Sequence, residues 1–102
     1  TLGPIALKTI SHFANYKLFL GVDSFSFENG ISTPNMEEAM LNQAMIAQAS
    51  QVIAVFDSSK FNKRSFCHIA TADQIDAIVT DNNLPVGYLS RLKEKNIALY
   101  LA

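Results

Sequence analysis

The sequence predicts an α/β fold, a Rossmann-like three-layer sandwich built on a mainly parallel sheet. Three observations carry that expectation. Short, continuously apolar runs recur along the chain, stretches with helical spacing separate them, and most of the runs end in polar, loop-forming residues. Strands that are apolar on both sides need cover on both faces, which a parallel sheet between helices provides.

The elements follow in order. Ile5, Ala6, Ile10 and Phe13 recur at helical spacing after Gly3-Pro4, predicting a helix over roughly 5–14. Lys17 to Val22 reads as a buried strand, and Asp23 to Thr33 as a loop. Pro34 suits a first helical turn. Asn35 followed by Glu38 three residues later has the form of a capping box, and Glu37 and Glu38 suit the positive end of a helix dipole. That helix is expected to run to about Ser50, with Met36, Met40 and Met45 as core packing. Val52 to Phe56 is the clearest strand, β-branched and aromatic, and Ile75 to Thr80 is another. Pro85 to Lys95 is an amphipathic helix with Leu89 and Leu92 inward, and Ile97 to Leu101 closes the chain as a strand.

The bulk numbers exclude several classes. At 102 residues, with 49% hydrophobic and 17% charged, the chain suits one domain with a real core. Eight basic against nine acidic residues give a net charge of −1, without the basic excess that gripping DNA requires. One cysteine, Cys67, permits no intrachain disulfide, and no apolar run reaches the length of a membrane span. A cytoplasmic setting is expected. Thr1 is not Met, and helical pattern begins almost at once. Residues 1–102 are therefore read as part of a domain whose first portion is absent.

In open parallel sheets, ligands sit beyond the carboxyl ends of the strands. Asp23-Ser24, Asp57-Ser58-Ser59-Lys60 and Asp81-Asn82-Asn83 follow three of the expected strands. Carboxylates and amides suit sugar hydroxyls; a lysine and backbone N–H groups suit a phosphate. For Asp57-x-x-Lys60 two readings stand, a ligand site or an ordinary helix cap with a solvated lysine. Gly30 offers a positive φ, and Ser32 and Thr33 offer hydroxyls to an anion. Lys60, Lys63 and Arg64 form a small basic cluster, read either as part of an anion site or as a solvated loop. His12 and His68 stand apart, so neither a metal site nor a Cys67–His68 catalytic pair is expected.

Taken in succession, Gly3-Pro4-x-Ala6, Phe19-Leu20-Gly21-Val22-Asp23, Gly30-Ile31-Ser32-Thr33-Pro34-Asn35, Glu37-Glu38-Ala39, Asp57-Ser58-Ser59-Lys60-Phe61 and Val79-Thr80-Asp81 resemble the C-terminal domain of DeoR-family transcriptional regulators. The resemblance implies a fold shared with ribose-5-phosphate isomerase and an N-terminal helix-turn-helix, absent here, that binds operator DNA. It also implies a phosphorylated-sugar effector whose binding releases the operator, and no catalysis, cofactor or metal. By position it implies that Asp57 and Lys60 meet the effector, that Asp23 is the acidic position shared with the isomerase-like fold, and that Gly30 and Thr33 face the ligand; Ser58, between Asp57 and Lys60, is a further ligand-binding candidate. Ser24 stands where many members have glycine, and Asn42 where a lysine usually follows, which removes a cation from that neighbourhood. A homo-oligomer is expected, since repressors read paired half-sites. The alternatives are a sugar-phosphate isomerase-like enzyme of the same fold, with Asp23 or Glu38 as base, and a plain dimerisation module.

Overall fold

The computed structural model describes residues 16–102. The helix expected over 5–14 lies outside them. In chain order the elements are β1 (Tyr16–Gly21), β2 (Ser24–Ser26), β3 (Gly30–Thr33), α1 (Met36–Gln48), β4 (Ala49–Val55), β5 (Cys67–Ala70), β6 (Ala77–Thr80), α2 (Tyr88–Glu94) and β7 (Ala98–Leu101). Single 3-10 turns occupy Ser58–Lys60 and Ala72–Gln74.

Four strands form a parallel sheet in the order β1-β4-β6-β7. The α/β, Rossmann-like expectation holds. The strand ends differ in detail from the sequence reading, for local reasons. β4 begins at Ala49 because the backbone turns extended at the helix terminus, with no loop between α1 and the strand. β6 begins only at Ala77. Asp76 just before it is tied to Val52 twice, its carboxylate accepting the Val52 N–H at 2.7 Å and its own N–H donating to the Val52 carbonyl at 2.9 Å. α2 begins at Tyr88, three residues after Pro85, behind Gly87 at φ 85°. It buries Tyr88 and Leu92, whereas Leu89 is half exposed. In α1 half of the expected capping box forms, Asn35 Oδ1 accepting the Glu38 N–H at 3.0 Å; the Asn35 N–H donates to Thr33 Oγ1 at 3.5 Å and not to the Glu38 side chain. Met45 packs against the core, but Met36 and Met40 are exposed, because α1 turns Ala39, Leu41 and Ile46 inward instead.

The expected loop over Asp23–Thr33 is a β-hairpin. β2 and β3 pair antiparallel, and β5 adds to β3, giving a second sheet in the order β2-β3-β5. Ser24-Phe25-Ser26-Phe27 alternates polar and apolar with period two, and Asn29-Gly30 is a hairpin-turn signal. Phe25 and Ile31 are fully buried on the core side of this hairpin.

One core joins both sheets and both helices, running from Leu20, Val52 and Ile78 through the hairpin phenylalanines to Leu92 and Ile97. The other face of the parallel sheet carries Phe19, 64% exposed, and Tyr100, 60% exposed, and no described helix lies over it. No helix among the described residues is long and apolar enough to cross a membrane.

Gly30 is where backbone freedom matters. It has φ 69°, and a Cβ there would lie 1.9 Å from the Ala70 carbonyl oxygen, where β3 meets β5. Gly30→Ala should cost roughly 2–4 kcal/mol, from the strained φ and an overlap that only backbone movement relieves. Gly21→Ala meets nothing within 4 Å among the described residues, and its stability should stay within about 0.5 kcal/mol of wild type. Equal urea midpoints for the two variants would refute this account of the β3–β5 contact.

Candidate functional site

Because β1, β4 and β6 are parallel neighbours, the segments leaving their carboxyl ends emerge side by side. Those segments carry Asp23, Asp57 and Asp81. Two are joined directly, since the Ser58 N–H donates to Asp81 Oδ2 at 3.0 Å. Asp81 Oδ1 accepts the Asn83 N–H at 2.9 Å. Asp57 caps the Ser58–Lys60 turn: its Oδ1 accepts the Ser59 N–H at 2.9 Å and the Ser59 hydroxyl as well. The helix-cap reading of Asp57 is therefore correct as far as it goes. It leaves the exposed carboxylate with Oδ2 free of partners among the described residues. Lys60, half-buried, ends the same turn and has no carboxylate within ion-pair distance among them.

These contacts set the charge state. The Ser59 hydroxyl, then the Ser59 N–H and the nearby Lys60 charge, hold the Asp57 carboxyl below the usual carboxylate range, with Asp81 opposing slightly. The N–H groups of Ser58 and Asn83 do the same for Asp81. Both side chains are acceptors only at neutral pH, as hydroxyl-bearing ligands require.

Asp23 is held from another direction. The Thr33 hydroxyl donates to its Oδ2 at 2.9 Å, with Thr33 itself 1% exposed. Asp23 and Thr33 are thus brought together, while Gly30 sits at the opposite end of β3 against Ala70. Ser24 is buried, and its hydroxyl shares a hydrogen bond of 2.6 Å with that of Ser65. Asn42 is buried on α1. The basic cluster is divided: Arg64 lines a cleft to which neither Lys60 nor Lys63 contributes.

Sequence reasoning did not identify what fixes the Asp57–Lys60 turn. Phe56 and Phe61, both buried, flank it, and their rings pack edge to face at 4.9 Å. The signal was present as two aromatics bracketing a polar tetrad. Thr80, one residue before Asp81, was missed too. Its hydroxyl is buried without a partner among the described residues. No group of three or more His, Cys, Asp or Glu side chains among the described residues is placed to hold a metal ion.

Comparison with known proteins gives the family of the chain. The family model described as DeoR C terminal sensor domain matches residues 1–82. A putative aga operon transcriptional repressor of Escherichia coli O157:H7 is 37% identical over 97% of the chain, which spans 37% of that protein. The HTH-type transcriptional regulator GlpR of Haloferax volcanii is 36% identical over 96% of the chain, 38% of its own length. The HTH-type transcriptional repressor GlcR of Bacillus subtilis is 35% identical over 92% of the chain, 36% of its own length. The chain thus spans a little over a third of the length of these relatives.

Two outcomes check the site geometry. Carboxyl carbon titrations by NMR should place Asp57 and Asp81 below the ordinary aspartate value of about 3.9. A native pKa lower than the unfolded one means that the native state binds fewer protons. The associated stability is present above the unfolded value and is lost as pH falls through the depressed native value. Asp81→Asn should therefore flatten the acid limb of the stability profile; an unchanged limb would contradict the Ser58 contact. Thr80→Val removes an unpaired buried hydroxyl at nearly constant shape. Thermal unfolding should show it neutral or stabilising by up to about 1 kcal/mol, and a clear loss of stability would show the hydroxyl to be satisfied.

Proposed function

The chain belongs to the DeoR C-terminal sensor domain family, and we propose that it is the effector-sensing domain of a transcriptional repressor of carbohydrate metabolism. On this reading a phosphorylated sugar binds at the strand-end rim. Binding releases operator DNA from a helix-turn-helix that precedes this stretch in the intact, oligomeric, cytoplasmic protein. The domain binds its ligand without turning it over and uses no cofactor or metal.

One observation carries the reading: Asp23, Asp57 and Asp81 leave adjacent parallel strands at the same edge, with Lys60 on the turn that Asp57 caps. Ionised carboxylates accept from sugar hydroxyls, and Lys60 with the N–H groups of its turn offers positive charge to a phosphate. Thr33, donating to Asp23, orients that carboxylate. Ser58 serves through its backbone, which links the β4 and β6 segments, and Gly30 shapes the hairpin that carries Thr33. The net charge of −1 fits a domain that regulates DNA binding without supplying the DNA contact. The names of the relatives, repressors and HTH-type regulators, support the same assignment.

The test is a calorimetric and thermal-shift screen of the intact protein against sugar phosphates and the matching free sugars. A ligand at 100 times its dissociation constant should stabilise by about 2.7 kcal/mol. Lys60→Ala should weaken the phosphorylated ligand about tenfold and leave any weak binding of the free sugar unchanged. Free sugars binding as tightly as their phosphates would remove the role given to Lys60. Chemical conversion of a bound hit would favour the isomerase-like enzyme instead.

A further inference from the structure

We propose that the polar face of the small sheet holds a second anion site, built for a phosphate-sized oxyanion around Arg64 and independent of the rim. A cleft of about 200 Å³ is lined by Asn29, Ser32, Arg64, Ser65, Phe66 and His68. No carboxylate is among these six. Glu28, beside Asn29 in sequence, is engaged elsewhere, its Oε2 lying 3.1 Å from Arg91. Arg64 has no carboxylate within ion-pair distance among the described residues. A guanidinium at the wall of a cleft free of acid selects an anion, and its planar fork matches two oxygens of a tetrahedral group.

The rest of the lining is fixed in advance. The Lys63 N–H donates to the Phe25 carbonyl at 3.2 Å, and the Ser65 N–H donates to Ser32 Oγ at 2.8 Å. Arg64 is therefore held between two residues whose backbones are tied to the hairpin. Ser32 spends an oxygen lone pair on that contact, which leaves its own O–H proton to donate. Ser24 and Ser65 share one hydrogen bond between their hydroxyls, so that pair too retains a proton. His68 Nδ1 lies 3.1 Å from the Asn29 carbonyl oxygen. A carbonyl only accepts, so Nδ1 carries the hydrogen, and Nε2 remains as the ring's other polar atom. It accepts from a protonated phosphate oxygen.

This site is separate from the strand-end rim. Ser32 and Thr33 are consecutive in β3 and so project to opposite sides. Thr33 turns to Asp23, whereas Ser32 meets Ser65 and pairs across the sheet with His68. The proposal therefore stands whether or not the rim binds a sugar phosphate. The cleft is small for an organic ligand but sufficient for one phosphate, either inorganic or the end of an ester whose remainder stays outside.

Calorimetry on the intact protein with inorganic phosphate tests the site, and the same titration with a phosphate monoester separates the two sources. Arg64→Gln should weaken inorganic phosphate about tenfold or more, since a charge-assisted bidentate contact is lost. Lys63→Gln removes the same charge one residue away and should leave the affinity within about twofold, because a phosphate at this range is recognised by contact more than by screened charge. Tighter binding of the monoester that remains sensitive to Arg64→Gln supports the site and identifies an ester as its occupant. Wild-type affinity in Arg64→Gln would overturn the proposal. So would loss of binding in Lys60→Gln with Arg64→Gln unaffected, which assigns the phosphate to the rim. Absence of phosphate binding up to tens of millimolar would also overturn it.

Discussion

A cluster of aromatic rings holds this structure together, and the rim depends on it. Phe25, with no exposed surface, contacts Phe27, Phe56 and Phe61 at centroid separations of 5.3, 5.7 and 5.8 Å. Tyr88 closes the group from α2, 4.7 Å from Phe27 and 5.0 Å from Phe61. These rings come from the hairpin, from the residue after β4, from the segment after the Ser58–Lys60 turn, and from a helix. No backbone ladder joins the small antiparallel sheet to the parallel one. Ring packing, the shared apolar core, α1 and the Thr33–Asp23 hydrogen bond fasten the two among the described residues. Truncating such a ring costs about 3–5 kcal/mol, a large share of the stability of a chain this size. The offset and edge-to-face contacts also fix orientation, which aliphatic packing would specify less sharply.

That packing lets a polar turn stay in place without a ligand. Asp57, Ser58, Ser59 and Lys60 lie between two buried anchors, Phe56 and Phe61. With the ends of the turn held, little conformational entropy remains to be lost when its side chains meet a partner. Electrostatics works in the same direction. Carboxylates leaving adjacent strands repel one another, and Asp81 does push the Asp57 carboxyl upward. Backbone and hydroxyl donors outweigh that repulsion at both residues, so both remain ionised. Asp23 accepts a hydrogen bond from the Thr33 hydroxyl.

Much of this was legible in the sequence, and the exceptions share a cause. β1, β4, β6 and β7 declared themselves as short apolar runs, and the Asn35 cap was readable because capping depends on residues three apart. The strand-end rule then puts Asp23, Asp57 and Asp81 along one edge. What escaped was short or non-local. β2 and β3 are three and four residues long, and their serines look like loop residues. Ser24 and Ser32 are buried and both bonded to Ser65, contacts across more than thirty residues that no local window contains. β5 was missed for the same reason, since Cys67-His68-Ile69-Ala70 becomes a strand by pairing with β3, far back in the chain. Thr33 showed only as one polar residue in a loop. Its burial and its bond to Asp23 exist because the hairpin folds back over the end of β1.

The division of β3 follows from the same geometry. A strand covered on both sides must satisfy each side with different chemistry, because successive side chains alternate. Ile31 and Thr33 meet the aromatic core and the end of β1, so one is apolar and the other spends its hydroxyl on Asp23. Gly30 and Ser32 meet backbone: the first yields room to the Ala70 carbonyl, and the second accepts the Ser65 N–H. Four residues, Gly30-Ile31-Ser32-Thr33, thus answer four different local demands. In the folded chain the tetrapeptide is a strand, with Thr33 turned to Asp23 and Gly30 set against Ala70.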